Sequence, residues 1–295
     1  MAANIVWALS FVLLLLPDPA FGQLRQIDDV FEVHRGNPLL NGGCDDEFAL
    51  DTNGRRHIDN IWEDCYQLVN AAVRVLDLAL DNTVPGQQRD ARQLSTTFFG
   101  TPAPDTAGGD QIIMNFRAWF QDVRQFMEGG RTGFNGEHYI LFCHDTWLQR
   151  RAWTDNAQQD GGLVLDGNSQ PVPLQNIEQY AGFMHDGLVP YWAAEFEEYI
   201  FDEPYTRAGN RFCGGPRHGN FAATQEQTRR KTVTVCPYGW RRAPPRLPLD
   251  RLGEEQVNAN QRIQTFGCAA MNLFHELFHV VEGNGITDDS QPPGM

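Results

Sequence analysis

The alternation of apolar and polar residues predicts helices first. Ile58, Ile61, Trp62, Cys65, Leu68, Val69, Ala72, Val73, Leu76 and Leu80 recur at steps of three and four, which places them on one stripe of a long amphipathic helix ending before Val84-Pro85-Gly86. A second stripe, Ile112, Ile113, Phe116, Phe120, Val123 and Met127, predicts a helix over residues 111–127, stopped by Gly129-Gly130. "HYILFC" (138–143) and "KTVTVCP" (231–237) are rich in β-branched and aromatic residues and read as short strands, each ending at or beside a cysteine. Between them, residues 158–173 read as loop and "YWAAEFEEYIF" (191–201) as a further helix, while "GWRRAPPRLPLD" (239–250) is a proline-rich connector. The last apolar series, Val257, Ile263, Phe266, Ala270, Leu273, Phe274, Leu277 and Val281, predicts a helix closed by Gly283-Asn284-Gly285.

The flanks of this pattern are different. Residues 5–16, "IVWALSFVLLLL", form an apolar run too short for a membrane span, and Ala20-Phe21-Gly22 supplies the small-x-small pattern of a signal-peptidase site. The expectation is a secretory signal over residues 1–22 and an extracellular protein that holds no membrane contact once the signal is cleaved. Residues 23–54 show little apolar periodicity and read as an irregular arm or a propeptide remnant, leaving one domain over residues 55–295. In an oxidising compartment, the six cysteines, Cys44, Cys65, Cys143, Cys213, Cys236 and Cys268, are expected to form three disulfides, with a buried free thiol as the alternative for each; scattered singly, they allow fifteen connectivities.

Composition narrows the partners. With 41% hydrophobic and 11% aromatic residues the chain is globular in kind, and a formal net charge of −15 argues against nucleic acid, whose phosphates demand a basic face. A soluble monomer is expected.

The chemistry concentrates in "HELFHVVEGNGITDD", residues 275–289. His275 and His279 are one helical turn apart, so both imidazoles project from one side at a separation that a single zinc ion can bridge. Glu276 follows the first histidine, where its carboxylate can serve as a general base toward a water at the open position of a metal. Neutral imidazoles suit Zn²⁺, and three protein ligands with a free fourth position acidify a bound water toward neutral pH. Gly283 and Gly285 permit the turn that brings Asp288 within reach as third ligand, with Asp289 the competing choice. The alternative is a polar helix C-terminus whose histidines face the helix dipole. The other histidines, His34, His57, His138, His144, His185 and His218, have no metal-type spacing; His144-Asp145 offers a His–carboxylate pair but reads first as a surface loop after Cys143. No GxSxG elbow points to a serine hydrolase.

From "HELFH" to "GITD" the chain resembles the signature of the deuterolysin and peptidyl-lysine metalloendopeptidase family, the aspzincins. "TFFGT" (97–101), "YILFC" (139–143), and "TVTVCP" (232–237) followed by "LPLDRL" (247–252) fall in that family's order. The resemblance implies an α+β, zincin-like metallopeptidase fold, mainly helical with a small sheet beside the active-site helix. It also implies zinc held by His275, His279 and Asp288, Glu276 as catalytic base, and protein or peptide substrates cleaved by a secreted endopeptidase. The sequence departs from the family at Ile286-Thr287 and at Gln291, where the family carries a tyrosine that donates to the oxyanion. The chain ends at Met295, where the family continues with helical sequence, so the resemblance implies either a domain cut short or a site closed differently. An inactive or weakly active zinc-binding secreted protein, stapled by disulfides, is the alternative expectation.

Overall fold

A computed structural model describes residues 22–45, 57–99, 108–203, 211–213, 221–226, 228–237, 249 and 268–283. The fold mixes helices with small sheets and divides into two compact units. The first comprises residues 1–30, 58–137 and 246–295, the second residues 31–57 and 138–245. The signal-peptide expectation lies outside the described residues. Among those described, no helix is long and apolar enough to cross a membrane.

The first unit is helical. After a single turn, α1 (Ile27–Val30), come elements α3 (His57–Leu80), α4 (Pro85–Phe99), α5 (Gly109–Met127) and α7 (Met271–Glu282). The long predicted helix is α3, and its expected stripe is its core face. Ile58, Cys65, Val69 and Leu76 are fully buried, and Trp62 donates its indole N–H to the carbonyl of Arg25 at 2.8 Å. After Leu80, Asp81 turns the chain by accepting from the Thr83 amide at 2.8 Å, and Pro85 opens α4 at the position where a missing amide hydrogen matters least. The second predicted helix is α5, two residues longer at its start than the apolar stripe implies. Helix α4, whose sequence "PGQQRDARQLSTTFF" is largely polar, is an element the apolar pattern did not announce.

The second unit is built on sheets. One four-stranded sheet runs β1 (Glu32–Val33), β2 (Ile140–Phe142), β9 (Thr232–Val235), β8 (Ala222–Gln225), with β2 and β9 parallel and β8 antiparallel to β9. The two predicted strands are therefore neighbours, Ile140 opposite Thr232 and Phe142 opposite Thr234, and both are buried throughout, as expected of central strands. A three-stranded antiparallel sheet orders β3 (Leu148–Arg150), β6 (Val189–Ala193) and β7 (Glu198–Asp202), with the short helix α6 (Ala181–His185) just before β6. Its inner face, Tyr191, Ala193 and Ile200, joins Phe142, Trp147, Phe196 and Phe212 in one apolar cluster, with Phe142 stacked on Trp147 at 4.2 Å.

The structure departs from the apolar pattern at three places. Residues 191–201 are a β-hairpin, since Trp192 and Tyr199 pair across one face while Tyr191 and Ile200 pair on the other, and Glu197 at φ 55° closes the turn; spacing by three and four had disguised a period of two. Within residues 158–173, Asp160 (φ 49°) and Gly161 (φ 74°) form a two-residue turn joining β4 (Gln158–Gln159) to β5 (Gly162–Leu163), as Asp-Gly favours. His144-Asp145 is no surface loop: Asp145 is buried, its Oδ2 accepts from the Cys213 amide at 2.7 Å, and His144 Nδ1 stands 2.9 Å from its Oδ1.

Part of the segment read as an irregular arm is in the second unit's sheet through β1, followed by a short helix α2 (Pro38–Asn41) that Asn37 caps at the Leu39 amide. Cys44 is bonded to Cys143, and Cys213 to Cys236. Two of the three expected disulfides are therefore formed, and Cys65 and Cys268 are buried thiols in this structure.

Burial, and next a hydrogen bond from its hydroxyl to Glu128, push Tyr66 of α3 up to about 12. The folded value exceeds the ordinary 10, so this contribution to stability is intact below pH 10 and is lost as pH rises toward 12. Urea unfolding of Tyr66→Phe is therefore expected to show a shallower loss of stability between pH 10 and 12 than wild type; an unchanged slope would contradict this.

Candidate functional site

Helix α7 carries the predicted histidines. It starts at Met271, with Cys268–Ala270 in a turn, so the apolar series from Val257 does not run into it unbroken; Val257, Ile263 and Phe266 lie outside the described residues. Ala270 gives no side-chain cap, and the first turn is closed through the backbone, the Phe274 amide donating to the Ala270 carbonyl at 2.8 Å.

Leu273, Leu277, Val280 and Val281 are fully buried and define the inner face of α7. On an adjoining face, Phe274 and Phe278 enclose Phe120 of α5, with ring centroids 6.2 and 4.9 Å away, the latter edge to face. With two faces spent on packing, the side chains at 275 and 279 fall on the remaining side. His275 is exposed and His279 half-buried.

Their ring centroids are 5.1 Å apart, with planes at 69°. Two imidazoles bound to one tetrahedral zinc, each through a nitrogen about 2.0–2.1 Å from it, place their ring centres about 5 Å apart. The pair therefore fits a shared ion. Glu276, on the same turn, is only 5% exposed, the one buried carboxylate of the helix.

The end of α7 is fixed from two sides. Gly283 has φ 57° and ψ −143°, a conformation open essentially to glycine, and a Cβ there would meet the Phe134 ring at 2.6 Å. Arg131 Nη2 donates to the Val281 carbonyl at 3.1 Å, while Nη1 pairs with Asp122 at 2.6 Å and Nη2 faces Glu282 at 3.6 Å. A guanidinium on a carbonyl of the last turn satisfies an acceptor that the helix leaves open and complements its dipole. Burial raises the Glu282 carboxyl above its ordinary range; Arg131 opposes that rise and Asp122 adds to it.

Of the four predicted site residues the structure describes three, His275, Glu276 and His279, and brings the two imidazoles together. Asp288, the competing Asp289 and Gln291 lie outside the described residues. Among the described residues, no group of three or more histidines, cysteines, aspartates or glutamates is placed to hold a metal ion. Sequence reasoning missed Arg131, which follows Gly129-Gly130 and is 150 positions from Val281; no local spacing links the two. Compared with family models, curated proteins and solved structures, the chain finds no match.

Removing either imidazole is expected to weaken zinc binding by more than the roughly 10–100-fold typical of losing a group that only orients a ligand. His275→Ala and His279→Ala, titrated with zinc by calorimetry while far-ultraviolet circular dichroism verifies the fold, should both show it; wild-type affinity in either variant would remove that residue from the site.

Proposed function

We propose that the protein is a secreted zinc metalloendopeptidase of zincin-like design, with His275, His279 and Asp288 as the metal ligands and Glu276 as general base. The observation that carries this reading is the histidine pair of α7, its ring centres 5.1 Å apart, with the buried Glu276 on the same turn. The glycine at Gly283, in a conformation that ends the helix, and the acidic pair Asp288-Asp289 a few residues later in the sequence support it. Two disulfides and the apolar run at residues 5–16 support a secreted protein.

Zinc, when bound, supplies a Lewis acid that polarises a scissile carbonyl and acidifies water. The chain's own part is proton handling and placement. Glu276 accepts a proton from the attacking water and returns it to the departing amine. The two imidazoles are held in register by the packing of α7, and Gly283 ends the helix after them.

A second reading, a zinc-binding protein without turnover, is favoured by one feature: Gln291 stands where the resembling family has an oxyanion-donating tyrosine. Loss of such a donor costs on the order of 10²–10³ in rate.

Casein hydrolysis separates the two. The peptidase reading expects cleavage that 1,10-phenanthroline abolishes and added zinc restores, and a loss of roughly 10²–10⁴ in kcat on Glu276→Gln with zinc content unchanged. One bound zinc with no cleavage at any pH would establish the binding protein instead.

A further inference from the structure

The first unit brings two thiols into one buried place. Cys65 lies on the core face of α3 and is fully buried, and Cys268, 1% exposed, opens the turn that leads into α7. The Cys65 thiol donates to the carbonyl of Ala270, two residues beyond Cys268, at 3.7 Å, so the α3 sulfur reaches the backbone of that turn. Asp64 adjoins the same place, its Oδ2 accepting from the Leu249 amide at 3.0 Å. The other four cysteines are consumed in pairs, Cys44 with Cys143 and Cys213 with Cys236.

We propose that Cys65 and Cys268 are a modification site, oxidised to a third disulfide that ties helix α3 covalently to the start of the histidine-bearing helix. The step is thiol–disulfide exchange with a disulfide of the glutathione type. Two S–H bonds break, one S–S bond forms between Cys65 and Cys268, and the oxidant takes two electrons and two protons as it becomes two thiols. Burial pushes both thiols up, so the attacking thiolate is scarce once the unit has folded, and closure belongs to the folding chain. The loop closed, residues 65–268, is longer than those of the other two bridges, whose separations are 99 and 23 residues, and so confines the unfolded chain most. The bridge does not rest on the zinc reading and belongs equally to an inactive binding protein.

Disulfide mapping tests it. Full-length protein from an oxidising host is unfolded in guanidinium with iodoacetamide and no reductant, then digested and analysed by mass spectrometry. The expected result is a linked peptide pair containing Cys65 and Cys268, neither alkylated, with all six cysteines alkylated only after reduction. Alkylation of both in the unreduced sample, or either cysteine linked elsewhere, overturns the proposal. Cys65→Ala/Cys268→Ala measures the tie itself: Tm is expected to fall by roughly 10 °C, and an unchanged Tm would refute the stabilising tie, whereas mapping of the wild type decides the bond even if this variant does not fold.

Discussion

The rotational setting of α7 is the constraint on which the rest depends. Leu273, Leu277, Val280 and Val281 are each fully buried, and each such side chain contributes about 1.5–3 kcal/mol relative to exposure. The ion pairs at the helix end are partly exposed, and contacts of that kind contribute about 0–1 kcal/mol each. Apolar packing therefore decides how α7 is turned. Once it is turned, the four-residue step between His275 and His279 places both rings on one side, and their proximity follows from the same geometry that forms the core.

Charge then refines what packing has set. Arg131 gathers the Val281 carbonyl of α7 and the carboxylates of Asp122 and Glu282 at one point, ahead of a glycine whose conformation almost no other residue adopts. The helix accordingly stops at a defined residue and in a defined direction.

Much of this was legible in the sequence where local period and burial agree. Helix α3 shows a long stripe at helical spacing, and β2 and β9 are short β-branched and aromatic runs bounded by cysteines, so their type was readable without partners. Residues 191–201 read as a helix because Trp192, Phe196 and Ile200 also satisfy helical steps of four; the pairing of Trp192 with Tyr199, which decides the matter, is a contact across a turn. Helix α4 lacks an apolar stripe and therefore a signal. At the site, His275, Glu276 and His279 were legible because one helical turn is a local relation, whereas Arg131 reaches Val281 only through the fold.

The central claim is that His275 and His279 share one zinc ion. Zinc-edge X-ray absorption on the full-length protein loaded with one equivalent tests it most directly. The account predicts a first shell of nitrogen and oxygen at about 2.0–2.1 Å with the outer-shell scattering of two imidazoles, reduced to one imidazole in His279→Ala. A sulfur shell near about 2.3 Å, or a spectrum of hydrated zinc unchanged by that substitution, would contradict it.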